Sequence, residues 1–149
     1  MKFDVVVRRV GEKGLGVIAQ KTFKKGVLVV RGIPEGFVGE RTNHSFQLDT
    51  GRHIQLNKPA RLINHSCDPN LGVNNNRFGG YDFFAIGDIR VGEELTWDYS
   101  MTEFISIAIE NNCLCKSNNC RGRIGGFVCL PLDLRNKYND FIADYLRKL

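Results

Sequence analysis

Four cysteines in two distant segments constrain this chain more than any other feature. Cys113, Cys115 and Cys120 follow the spacing C-x-C-x4-C, and Cys67 stands far upstream in the run Asn64-His65-Ser66-Cys67-Asp68-Pro69-Asn70. Thiolates suit a tetrahedral ion such as Zn2+, and cysteines one to four residues apart can turn toward one ion without strain. Convergence of Cys67 on the later three would fasten the C-terminal part of the chain to its middle. The chain holds five cysteines, so a second reading is two disulfides and one free thiol. The odd count and a start without a secretory leader argue against that reading. One structural Zn2+ on Cys67, Cys113, Cys115 and Cys120 is therefore expected. Cys129 is left over, beside Val128 and Leu130, as a small buried hydrophobe.

A length of 149 residues with 42% hydrophobic content suffices for one domain with a modest core. No apolar stretch approaches the twenty or so residues of a membrane span, so an intracellular, soluble protein without membrane contact is expected. The net charge of +5 favours acidic partners. Its basic residues are scattered singly or in pairs, as at Arg8, Arg9, Lys24 and Lys25, which is not a nucleic-acid footprint.

Short apolar runs rich in β-branched residues recur along the chain: Val5 to Val7, Val17 to Ala19 and Val27 to Val30, separated by Gly11, Gly14, Gly16 and Gly26. Phe83 to Ile86 and Glu94 to Trp97 add two strands around a turn at Val91-Gly92. The spacing of Leu134, Tyr138, Phe141, Ile142, Tyr145 and Leu149 predicts a helix over Asp133 to Leu149, with Pro131 before it and Arg147 and Lys148 at its end. Met101 to Asn111 fits helix and strand equally. The fold class is mainly β with a C-terminal helix.

Gly14 and Gly16 in Lys13-Gly14-Leu15-Gly16-Val17 carry no Cβ, so their backbone can lie against a ligand; taken alone, the pair also fits a plain hairpin turn. Asn64-His65-Ser66 could likewise be only a turn held by side chain to backbone hydrogen bonds. Trp97 and Tyr99 could simply pack a core.

The order of these segments resembles the SET-domain family of protein lysine methyltransferases. Lys13 to Ala19 is similar to the family's first motif, Arg61 to Asn70 to its central signature, and Asp88 to Tyr99 to its third. Cys113 to Gly122 resembles the zinc-binding post-SET tail. The resemblance implies a β-clip type fold with a pseudoknot, in which the segment after Tyr99 threads beneath a loop of the central signature. It implies residues 1–100 as the SET domain and 101–149 as a post-SET zinc-binding segment and C-terminal helix, forming one structural unit. It further implies S-adenosyl-L-methionine as cosubstrate, with Gly14, Leu15, Gly16, Asn64 and His65 in its site. Tyr99 would be the catalytic residue, and Trp97 a wall of the substrate channel.

The expected function is transfer of a methyl group to a lysine of a protein or peptide, with a histone tail as one candidate. A sulfonium methyl is already electrophilic, so the protein's work is alignment and desolvation, and the lysine must first lose its proton. A phenol such as that of Tyr99 titrates near about 10, which suits an orienting role better than that of a strong base. The alternative is an inactive, zinc-stapled SET-like interaction domain. Trp97 departs from the Tyr or Phe the family more often has, the stretch from Val30 to Asp49 is short, and Asp49 to Arg61 is stretched. These departures leave the target lysine and the number of methyl groups open.

Overall fold

The computed structural model describes residues 3–149. β1 (Val5–Arg9) and β2 (Leu15–Ala19) pair antiparallel, with Val7 opposite Val17. Gly11, at φ +61°, and Gly14 turn the chain between them. β3 (Leu28–Gly32) is followed by β4 (Pro34–Val38), β5 (Ser45–Gln47) and β6 (His53–Leu56), and the last three form a sheet in the order β4-β6-β5. β7 is the two-residue strand Asn64–His65. β8 (Leu71–Asn75) and β9 (Tyr81–Ala85) join β3 in a sheet ordered β3-β9-β8. β10 (Thr96–Trp97) pairs in parallel with β7, setting Thr96 beside Asn64 and Trp97 beside His65. Small sheets wrapped around one another match the expected mainly β class.

Aromatic side chains fill the space where these sheets meet. The Trp97 indole lies 5.2 Å from Phe46 at an interplanar angle of 12°, and meets Phe83 edge-on at 5.7 Å. Its N–H donates to the Ile63 carbonyl at 3.1 Å, so the ring is fixed in position and not merely in depth. Rings of this size dominate a small core and tolerate little displacement.

After Tyr99 the chain runs between β5 and the C-terminal turns. The Phe104 N–H is shared between the Gln47 Oε1 at 3.0 Å and the Tyr145 hydroxyl at 3.1 Å, and the Ala143 N–H donates to the Met101 carbonyl at 2.8 Å. Of the ambiguous stretch Met101 to Asn111, Met101 closes the 3-10 turn Tyr99–Met101 and the rest forms neither helix nor strand: its backbone bonds go to scattered partners such as the Gly125 carbonyl, and Ile105 and Ile107 stay exposed.

The predicted helix from Asp133 to Leu149 is not continuous. Only α1 (Leu132–Lys137) is α-helical, and a separate 3-10 turn spans Asp144–Lys148. The apolar spacing was real, and Tyr138, Ile142 and Leu146 are all buried. The helix gives way after Tyr138, where the Asn139 and Phe141 N–H groups bond only three residues back, and it does not resume because the Ala143 N–H donates to Met101 and the Asp144 N–H to the Asn75 Oδ1. Cys129 also departs from expectation, being exposed. The 3-10 turn Phe127–Cys129 directs Phe127 inward and leaves Val128 and Cys129 outside.

Candidate active site

Three motifs meet around Asn64. Gly14 has φ +81°, a conformation L side chains avoid, and Gly16 is buried against its neighbours. A Cβ on Gly16 would lie 2.8 Å from Glu94 Oε2 and 2.9 Å from Asn64 Nδ2, so only glycine allows this approach. The Asn64 amide donates to the Leu15 carbonyl at 2.8 Å and to Glu94 Oε2 at 2.9 Å, and Lys13 forms an ion pair with the other Glu94 oxygen. Lys13 and Asn64 border an open cleft of about 640 Å3, closed on its far side by the stretch from Ile107 to Cys115. His65 and Tyr99 form its inner wall. Gly14, Leu15 and Gly16 stand just behind that border, reached through Lys13 and the Leu15 carbonyl.

His65 couples the cleft to the cysteines. Burial takes its pKa down to about 4, so the ring is neutral near pH 7. Its Nδ1 lies 3.1 Å from the Tyr99 N–H and accepts from it, so the ring proton belongs on Nε2, which lies 3.4 Å from Cys67 Sγ. One imidazole therefore touches both the backbone of Tyr99 and a prospective metal ligand.

Cys67, Cys113, Cys115 and Cys120 come together with all four Sγ atoms within 4.8 Å of one another. A tetrahedral zinc–thiolate shell has sulfurs ~3.8 Å apart, so slight contraction would close the quartet on an ion. Burial pushes the Cys67 thiol up to about 11, against the Arg121 N–H that donates to it at 3.3 Å. Burial also works to raise Cys115, but the Ser117 hydroxyl at 3.1 Å and nearby amides outweigh it and bring that thiol to about 6. The Gly122 N–H donates to Cys120 Sγ at 3.4 Å. Soft donors already supplied with N–H groups are what a structural zinc requires, and four thiolates leave no position open for water or substrate.

Tyr99 stands on the third motif, half-buried, its ring 4.9 Å from Trp97 and 5.2 Å from His65. Burial, with Glu103 and Glu94 adding to it, holds the phenol well above its ordinary range, so it remains a hydroxyl donor. A narrow slot of about 20 Å3 lies on its other side, among His44, Phe46, Ile63, Trp97 and Glu103. Tyr99 thus bounds the wide cleft and the slot at once. Trp97 borders the slot from a buried position.

The main residues that sequence reasoning missed surround Asp98, which is fully buried. Its two oxygens share one guanidinium nitrogen, Arg121 Nη2, at 3.0 and 2.8 Å, and the Tyr138 hydroxyl donates to Oδ2 at 3.1 Å. The Ser100 N–H adds a bond at 3.0 Å. Arg121 directly follows the ligand Cys120, and Asp98 directly precedes Tyr99, so this ion pair ties the tail to the residue at the centre of the site. The available signal was a single aspartate between two aromatic residues with an arginine after the last clustered cysteine.

Residues 14–100 match the family model of the SET domain. Among characterised proteins, the chain is 31% identical over 140 residues to "Histone-lysine N-methyltransferase Set2" of Drosophila melanogaster, covering 80% of this chain and 6% of that protein. It is 32% identical over 143 residues to "Histone-lysine N-methyltransferase Su(var)3-9" of Drosophila pseudoobscura pseudoobscura, covering 72% of this chain and 23% of the relative. The chain therefore spans less than a quarter of the length of these curated relatives. Its fold resembles the crystal structure of KRYPTONITE in complex with mCHH DNA, H3(1-15) peptide and SAH, with a TM-score of 0.65 and 26% identity over 83% of this chain and 30% of that one.

Proposed function

The chain belongs to the SET-domain family, and on that premise we propose that it is an S-adenosyl-L-methionine-dependent protein-lysine N-methyltransferase acting on a histone tail. The observation that carries this reading is the position of Tyr99 as the one phenol bordering both the wide cleft and the narrow slot. Methyl transfer needs a donor and an amine to meet at one point, and two cavities that share a wall of Asn43, His44, Tyr99, Ile107 and Ala108 meet that need. The histone class is favoured by the names of the relatives and by the peptide bound to KRYPTONITE. A histone substrate would make the protein nuclear.

The residues fit the groups the reaction needs. S-adenosyl-L-methionine would supply the electrophilic methyl group; binding and alignment fall to the chain. Asn64 and His65 line the cleft, and the backbone at Gly14, Leu15 and Gly16 would complete its border. The lysine side chain would enter the slot, whose Phe46, Ile63 and Trp97 walls disfavour a charged amine and so favour the neutral, reactive one. Tyr99 would hold the amine in line through its hydroxyl oxygen, accepting from an amine N–H so that the nitrogen lone pair stays free to attack. The Trp97 N–H is already bonded to Ile63, so at this residue the space in the slot, not a hydrogen bond, would set the number of methyl groups added. Cys67, Cys113, Cys115 and Cys120 would hold one structural Zn2+ that keeps the Ile107 to Cys115 wall against the cleft.

Purified protein incubated with radiolabelled S-adenosyl-L-methionine, a histone panel and cell lysate tests the reading. Label on a histone lysine, together with a rise in melting temperature on adding the cosubstrate, is the expected result. No label on any protein and no rise would overturn it in favour of an inactive, zinc-stapled interaction domain.

A further inference from the structure

Glu103 lines the slot, yet nothing in the reaction as described uses it. It is buried, with a side chain 9% exposed. Its Oε2 is well served, accepting from the Thr102 hydroxyl at 2.6 Å and the Gln47 N–H at 3.0 Å. Its Oε1 has only Arg41 Nη2 at 3.4 Å, beyond the ~2.7–2.9 Å of a charge-assisted bond. The same Nη2 is committed to the Ile105 carbonyl at 2.6 Å, and the Arg41 Nε is buried with no partner. The slot is therefore lined by a residue one of whose carboxylate oxygens has its counter-charge only partly supplied. A buried carboxylate in that condition calls for a cation with N–H donors.

We propose that Glu103 determines specificity for a charged side chain by receiving the substrate's ammonium group in the slot beside Tyr99. This rests on the methyltransferase reading above. A lysine ammonium carries three donors and can approach Oε1 more closely than Arg41, which stays at 3.4 Å. Burial pushes the Glu103 carboxyl up from its ordinary range, a strain that an incoming cation relieves. The contact favours the charged amine, which is not the reacting form, so it contributes to capture of the substrate and not to the transfer step. Arg41 then acts as a competing cation that occupies the carboxylate until substrate arrives.

Two variants with opposite expected effects test this on the protein labelled in the histone-panel assay. Glu103→Gln keeps an oxygen for Thr102 and Gln47 and removes the charge. It should raise KM by ~10-fold or more while kcat holds or rises. Arg41→Met should lower KM. Peptides spanning the labelled site, with lysine or methionine at the target position, should bind the wild type with a preference for lysine that Glu103→Gln abolishes, measured by calorimetry with SAH present. An unchanged KM in Glu103→Gln, a fall in kcat alone, a retained lysine preference, or a shift of KM in the same direction in both variants would overturn the proposal. An unfolded Glu103→Gln leaves the decision to Arg41→Met, whose KM must fall. Wild-type protein that labels no substrate would overturn the function itself, and this inference with it; an active wild type with an indifferent Glu103→Gln would overturn this inference alone.

Discussion

Replacing Arg121 by Met should unseat the centre of the site from the tail. The Asp98 side chain is 0% exposed and that of Arg121 is 18% exposed. Removing one partner of a buried pair costs about 3–5 kcal/mol, because the remaining charge is left uncompensated. Partial exposure of Arg121 and the surviving Ser100 and Tyr138 donors place this case at about 2–3 kcal/mol. In a domain of this size each kcal/mol moves the melting temperature by about 2–4 °C, so Arg121→Met should melt about 4–12 °C lower. Asp98→Asn together with Arg121→Met removes both charges and should recover at least ~1 kcal/mol of the summed single losses. Urea and thermal unfolding of the four proteins, with Zn2+ in excess throughout, measure the cycle. An Arg121→Met loss below ~1 kcal/mol, or a double variant equal to the sum of its parts, would refute the role assigned to the pair. Because Asp98 directly precedes Tyr99, kcat should fall while affinity for S-adenosyl-L-methionine stays near wild type.

Tyr99→Phe should lower kcat by ~100-fold without changing cosubstrate affinity, and near-full turnover would remove Tyr99 from the reaction. Metal analysis should find one zinc per chain; chelation should lower both melting temperature and activity, and added Zn2+ should restore both. The raised carboxyl of Glu103 makes a prediction about pH. Because the folded protein holds that proton more tightly than the unfolded chain, the stability Glu103 contributes is fully present below its ordinary pKa of 4.5 and is lost as pH rises through the folded value. The melting temperature of wild type relative to Glu103→Gln should therefore decline as pH rises from about 4.5. The groups around Glu103 include Arg41, His44, Tyr81, Tyr99 and Tyr145, and burial holds the three phenols protonated through this range, so a flat difference would show that the carboxyl is not perturbed.

The strongest sequence signals were those in which chemistry is written into local spacing. The cysteine cluster, the paired glycines and the Asn64-His65 dipeptide each require particular residue types at short separation, and the structure gathers them in and just behind the walls of one cleft. The C-terminal helix was misread because apolar periodicity reports which residues are buried, not where their backbone donors go. Residues 138, 142 and 146 are buried as the pattern implied, while the Ala143 and Asp144 amides bond to partners far upstream. Cys129 was misplaced for a related reason: apolar neighbours in sequence do not decide which way a single 3-10 turn faces. Asp98, Arg121 and Glu103 had no periodic signature, since each depends on a partner the chain reaches only after folding.

The dependence of Asp98 on Arg121 and Tyr138 has a consequence for biosynthesis. When a ribosome has released every residue through Tyr99, the nascent chain already carries the glycines, Asn64 and the phenol, yet the thiols and the guanidinium that complete the arrangement have not been made. The emerging polypeptide must therefore leave an acidic side chain facing water that the finished protein encloses. Enclosure of Asp98 therefore waits on Arg121 and Tyr138, and a message truncated shortly after Tyr99 would yield a fragment whose buried carboxylate has lost both of those donors.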